Sequence, residues 1–245
     1  MTTLDGSIAL VTGATSGIGR AIALQLAALG AEVIVHGRSA ERGEKTVQEI
    51  ENGGGKARFV AADLVDADDV RRLAAEVGDV DILVNNAGIF LFGATPDTDD
   101  AAFDDQVNVN LKAPYILVQK LVPGMVARGS GTVVNVSTLA ASVPARQAGI
   151  YGATKAGLEL LTKLWADEFG PSGVRVNAVA PGPTQTPGTS VTPGLIDGLA
   201  ATTTLGRGAT AEEIANVVVF LATPTSSYVN GAIVQASGGQ LALAP

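Results

Sequence analysis

Apolar residues follow two alternating rhythms along this chain. Short runs such as Ile8-Ala9-Leu10-Val11 and Ile82-Leu83-Val84 are apolar at every position, the pattern of strands buried on both faces of a parallel sheet. Between them lie stretches with apolar residues every three or four positions, the spacing of one helix face. The pattern predicts strands over Ser7–Thr12, Glu32–His36, Arg58–Ala62, Asp81–Asn85, Thr132–Ser137, Arg175–Ala180 and Ala232–Gln235. It predicts helices over Gly17–Leu29, Ala40–Asn52, Ala67–Val77, Ala101–Arg128, Tyr151–Phe169 and Ala211–Ala222. Strand and helix alternate throughout. The expected fold is therefore α/β: one doubly wound, mostly parallel seven-stranded sheet with helices on both faces and right-handed crossovers. Gly53-Gly54-Gly55 reads as a loop at a helix end, because the alternation continues past it, and residues 1–245 are expected to form a single domain. Pro114 lies inside the longest predicted helix, with Pro123 near its end, and is expected to bend the axis by removing a backbone donor.

The 245 residues are 47% hydrophobic and 16% charged, with a net charge of −8. A chain this acidic lacks the basic footprint that nucleic acid or an anionic membrane requires. No apolar run is long enough to span a bilayer, and the N-terminus shows no charged region followed by an apolar core, so the expected location is the cytoplasm. The high apolar content leaves surface for subunit contacts. With no Cys, thiol nucleophiles, disulfides and Cys-bound metals are excluded. His36 is the sole histidine and closes the second predicted strand. It reads as packing or as a nucleotide neighbour, which argues against Ser-His-Asp hydrolysis and His-bound metal. The expected acids and bases are Tyr, Lys and carboxylates.

Two motifs carry chemistry. The first strand runs directly into Gly13-Ala14-Thr15-Ser16-Gly17-Ile18-Gly19 and then into a helical pattern. Glycines at 13, 17 and 19 permit positive φ and close approach of a pyrophosphate, whose charge would meet the N–H groups of the helix start. The spacing Gly-x-x-x-Gly-x-Gly differs from the commoner Gly-x-Gly-x-x-Gly of dinucleotide sites. Further along, Tyr151 and Lys155 stand four residues apart on a predicted helix, so phenol and ammonium share one face. A nearby positive charge favours phenolate, which makes the phenol a usable acid near neutral pH.

These motifs, in this order, resemble those of the short-chain dehydrogenase/reductase family, and the resemblance covers nearly the whole chain. Asp63-Leu64 matches the family's adenine-contacting Asp, Asn85-Asn86-Ala87-Gly88 its Asn-Asn-Ala-Gly turn, and Asn110 its helix Asn. Pro181-Gly182, followed by Thr184 and Thr186, matches the segment that holds the nicotinamide side. The resemblance implies hydride transfer between a nicotinamide and a carbon bearing hydroxyl or carbonyl, without a metal. Tyr151 would be the general acid/base, Lys155 would lower its pKa and hold the nicotinamide ribose, and Asn110 could join a proton relay to solvent.

A second hydroxyl is expected to hold the substrate oxygen. The family's catalytic Ser precedes its Tyr by 13 residues, a position occupied here by Thr138. Ser137 is the candidate if the loop over 141–149 differs by one residue. For the cofactor, Gly37 stands where NAD-preferring relatives carry Asp, and Arg38 follows, which favours a 2'-phosphate and hence NADP(H). Ser16 stands where many NADP-binding relatives have a basic residue, so NAD(H) remains open. The segment Pro187–Leu205 lies where relatives place a substrate lid and holds one charged residue, Asp197, which suits a small uncharged carbonyl or alcohol. The alternatives are a 3-oxoacyl thioester reductase, disfavoured by Ser172 where such relatives carry a basic residue, and a non-catalytic dinucleotide sensor, which would tend to lose Tyr151 or Lys155. A homotetramer is expected from the helices around Asn110 and Tyr151 and from the apolar tail Gly238–Leu243.

Overall fold

The computed structural model describes residues 3–192 and 194–240. Pro193 of the expected lid and residues 241–243 of the expected apolar tail lie outside them. The chain alternates β1 (Ile8–Val11), α1 (Gly17–Ala28), β2 (Glu32–Gly37), α2 (Ala40–Asn52), β3 (Lys56–Ala61), α3 (Ala67–Val77) and β4 (Ile82–Asn85). It continues through α4 (Asp100–Val107), α5 (Ala113–Arg128), β5 (Gly131–Val136), α6 (Gly149–Phe169), β6 (Val174–Pro181), α7 (Leu195–Ala200), α8 (Ala211–Ala222) and β7 (Ile233–Ala236). Among the described residues the seven strands form one sheet in the order β3-β2-β1-β4-β5-β6-β7. Every pairing is parallel, where a mostly parallel sheet was expected.

Why the strands are apolar at every position is plain from their faces. Successive side chains point to opposite sides of a strand. Val11, Val35, Val84 and Val134 pack with Ile22, Leu26 and Val218 in one core, while Leu10, Ile34, Leu83 and Val133 pack with Leu73, Leu117 and Leu158 in the other. Chain order reverses between β1 and β4, which opens a crevice at the carboxyl ends of these two strands. Among the described residues, no helix is long and apolar enough to cross a membrane.

The predicted 101–128 helix is helical throughout but changes its winding midway. A π-helical turn over Asn108–Lys112 separates α4 from α5 and sets Asn110 fully inside the protein. Pro114 follows this turn directly, and because Lys112 and Ala113 ahead of it are already helical, its missing N–H falls inside the helical run. Pro123 is accommodated within α5. Strand β3 begins at Lys56, two residues before the predicted Arg58, because it pairs with β2 along that strand's whole length, Glu32 with Lys56 through Gly37 with Ala61. Helix α6 begins at Gly149, two residues ahead of Tyr151, and the lid segment contains the short helix α7.

Candidate active site

The glycine turn is assembled from three strand ends. Thr12 follows β1, and its buried hydroxyl donates to the Val84 carbonyl at 3.2 Å while accepting the N–H groups of Asn86 and Ala87, each at 3.0 Å. Asn86 Nδ2 returns a bond to the Thr12 carbonyl at 2.8 Å. The Asn-Asn-Ala-Gly turn is thereby tied to the glycine turn. Gly13 has φ 66°, and a Cβ there would lie 3.0 Å from Ala87 Cα. At Gly19 a Cβ would overlap the Gly13 carbonyl oxygen.

His36 holds the turn from the β2 side. Its Nδ1 accepts the Gly13 N–H at 3.2 Å, so its proton sits on Nε2, 3.2 Å from the Ala62 carbonyl. Burial pushes its pKa down to about 4, which keeps the ring neutral. The packing role and the nucleotide neighbourhood expected of His36 coincide, since it also lines the cleft beside the turn.

That cleft, about 380 Å³, is lined by Gly13, Thr15, Ser16, Gly17, Ile18 and Gly19 on one wall and by Asn86, Ala87 and Gly88 on another. Asp63, Leu64 and Arg38 line its far end, and Thr186 and Gly188 its lid side. Helix α1 starts with no side-chain cap from Ser16 and no acid in its first turn, so its N–H groups face the cleft without a local anion. At Gly17 a Cβ would lie 3.2 Å from Thr186 Cβ, which puts the root of the lid against the turn.

Two cations stand at the far end. Arg38 is joined there by Arg42 from the first turn of α2, a residue the sequence reading missed although it lies four positions on. Among the described residues neither guanidinium forms an ion pair. A Cβ at Gly37 would run into the Thr15 methyl, so position 37 has no seat for a carboxylate side chain unless Thr15 moves. This donor set fits a dinucleotide with a further phosphate at the adenine ribose.

At the other end of the crevice Lys155, 2% exposed, donates from Nζ to the Val136 carbonyl at 2.8 Å. Burial pushes its pKa down to about 8. Burial raises the pKa of the Tyr151 phenol, and the neighbouring Thr138 hydroxyl lowers it by less, so the phenol stands above its ordinary value. The acidifying effect expected of Lys155 does not prevail over this burial. Ser137 faces elsewhere: its buried hydroxyl donates to Glu159 Oε1 at 2.7 Å. Of the two neighbouring hydroxyls, Thr138 meets Tyr151 and Ser137 meets Glu159, a partner that the sequence reading did not single out.

Asn110 uses both polar atoms of its side chain on one residue. Oδ1 accepts the Ile89 N–H at 2.9 Å and Nδ2 donates to the Ile89 carbonyl at 2.8 Å, with Thr154 Oγ1 3.3 Å from Nδ2. A Cβ at Gly88 would lie 3.2 Å from Asn110 Oδ1 and 3.3 Å from Lys155 Nζ, so the glycine lets both groups come close. Pro181 closes β6, and Gly182 is wedged where a Cβ would lie 2.8 Å from Ser237 Cα. Thr184 donates to the Gly182 carbonyl at 3.0 Å. Tyr151, Lys155, Pro181, Gly182 and Thr184 stand outside the lining of this cleft.

Residues 13–240 match the family model described as enoyl-(acyl carrier protein) reductase. The 3-oxoacyl-[acyl-carrier-protein] reductase FabG of Thermotoga maritima is 38% identical, over 96% of this chain and 98% of its own length. A solved short chain dehydrogenase/reductase family protein is 51% identical with a TM-score of 0.91, covering 96% of this chain and 97% of that one. A blue fluorescent protein from a metagenomic library, solved in complex with NADPH, is 34% identical with a TM-score of 0.92, covering 98% of this chain and 100% of that one. By the family model over residues 13–240 and by these relatives at 38% and 51% identity across nearly its whole length, this chain belongs to the short-chain dehydrogenase/reductase family of oxidoreductases.

Proposed function

We propose that this chain interconverts a carbonyl and a secondary alcohol on a small, uncharged substrate with NADP(H), Tyr151 serving as general acid/base. The observation that carries the reading is the meeting of Tyr151 with Thr138 one helical turn from Lys155, beside a cleft that fits a dinucleotide. When bound, the nicotinamide supplies or accepts the hydride. Tyr151 gives its proton to the oxygen as negative charge grows there, and the Thr138 hydroxyl donates to the same atom. Lys155 spends one N–H on Val136 and keeps two for the ribose hydroxyls, while its charge offsets the phenolate left behind.

NADP(H) is favoured over NAD(H) by the Arg38–Arg42 pair and by Gly37, which offers no acceptor to a ribose 2'-hydroxyl. The NADPH held by the similar metagenomic protein agrees with this choice. Reduction of 3-oxoacyl thioesters is the second reading, and the similarity to the Thermotoga FabG supports it. The test is consumption of NADPH against a panel of ketones. Tyr151→Phe should lower kcat by at least about a hundredfold while NADPH binding persists, and undiminished turnover in that variant would remove the mechanism.

A further inference from the structure

Behind Gly88 the chain enters the loop between β4 and α4, and its backbone is held at alternate residues. The Ile89 N–H donates to Asn110 Oδ1 at 2.9 Å, the Leu91 N–H to Gln106 Oε1 at 3.2 Å, and the Gly93 N–H to the Gln147 carbonyl at 2.9 Å. Asn110 and Gln106 are both fully buried. Gln147, which aims the third acceptor, has φ 65° and is the one non-glycine residue with positive φ among the described residues. Strain of this kind persists where the surroundings hold it in place, and it concentrates at ligand clamps.

An extended segment tied at 89, 91 and 93 turns the side chains of 90 and 92 to a common face. The two rings meet there with centroids 5.7 Å apart, and Phe90 stands edge-on to Tyr151 at 6.2 Å. Aromatic residues make up only 4% of the chain, yet two of the three ring contacts among the described residues lie at this spot. Phe92 remains 52% exposed. A Cβ at Gly188 of the lid would lie in van der Waals contact with the Phe90 ring, at 3.9 Å, so the lid backbone borders that ring and Phe92 is the open end of the shelf. Residues 89–94 carry no charge, and the lid's single charge is Asp197.

Resting on the oxidoreductase reading above, we propose that Phe90 and Phe92 form a fixed shelf for a flat ring beside the reacting carbon, so that this enzyme acts on aryl and cyclic ketones or alcohols in preference to linear acyl chains. A rigid substrate ring gains edge and face contacts with the rings while losing little internal freedom. A linear acyl chain buries similar area but must freeze its rotors against the shelf. The pinned backbone means that the shelf needs no ordering when substrate arrives.

The test compares acetophenone, 2-octanone and acetoacetyl-CoA with NADPH at neutral pH. The expected kcat/KM for acetophenone exceeds those of the other two by about tenfold or more. Phe90→Leu should lower the acetophenone value by about tenfold and change that of 2-octanone by less than about threefold, so turnover of 2-octanone certifies a folded site. Saturation-transfer NMR of acetophenone on the same variant should weaken in parallel, independently of turnover. A native preference for 2-octanone or the thioester, or equal losses for both ketones in Phe90→Leu, overturns the shelf and leaves the oxidoreductase reading standing. NADPH consumption with none of the three compounds overturns the shelf, while the oxidoreductase reading is decided by the wider panel of ketones.

Discussion

Thr138 and Ser137 are adjacent hydroxyls with different partners, and the difference separates their expected effects. Thr138→Val keeps the shape but removes the donor that meets Tyr151. Turnover should fall by about 10²–10³, the scale of losing an oxyanion donor, while Thr138→Ser keeps most of it. Ser137→Ala removes only the bond to Glu159 and should matter little. Steady-state rates of the three variants decide this, and a dead Ser137→Ala beside an active Thr138→Val would reassign the role. His36 carries a second prediction. Its pKa is about 4 in the folded chain against 6.5 unperturbed. Between these values the unfolded chain binds a proton that the folded chain does not, so stability is complete above pH 6.5 and declines as pH falls toward 4. The loss amounts to about 3 kcal/mol. In His36→Gln the decline of the unfolding midpoint across that window should be shallower, and an unchanged slope would show that His36 is not its source. A lone histidine at a strand end is legible in sequence as packing, but its bond to Gly13 is not.

At the scale of elements, the π turn between α4 and α5 has the largest consequence. One extra residue in the π turn turns Asn110 inward, where it completes both backbone hydrogen bonds of Ile89. Asn110→Leu keeps the volume and leaves that N–H and carbonyl without their partner, at a cost of about 1–3 kcal/mol. We expect a lower unfolding midpoint and faster hydrogen exchange at the Ile89 amide, with exchange in the middle of α6 unaffected by local opening. Unchanged exchange at Ile89 would show that Asn110 is not the clamp. Pro114 marks an irregularity in this helix from sequence alone, but the π turn just ahead of it, and the inward turn of Asn110 that it produces, are visible only in the structure. The start of α8 shows the opposite case. Thr210 and Glu213 form a full capping box, a local signal with a local outcome.

For the whole molecule, Tyr115 of α5 meets Trp165 of α6 with ring centroids 5.9 Å apart. Their outer faces carry Tyr115, Leu160 and Leu164, of which Leu160 is 69% exposed. An apolar stripe of this kind on these helices suits a subunit contact, and we propose a homotetramer that uses it. Leu160→Glu combined with Leu164→Glu should shift the light-scattering mass to a smaller assembly while the circular dichroism of the fold persists. A tetramer that survives the double change would place its interface elsewhere.

Local neighbours decide what periodicity and motif decide. A strand apolar at every position, a glycine turn running into a helix, and a Tyr and Lys four residues apart on one helix face are properties of short segments, and all were legible before any coordinates. The double-sided core followed from the same runs, since alternate side chains need two faces to fill. Contacts between distant segments decided the rest: His36 reaches Gly13 across 23 positions and Asn86 reaches Thr12 across 74. Counting back from Tyr151 singled out Thr138, but the count does not say which way the Ser137 hydroxyl turns, because that depends on how the end of β5 meets the face of α6. Arg42 joining Arg38, Asn110 gripping Ile89 and Phe90 standing edge-on to Tyr151 likewise exist only once the sheet has brought their segments together.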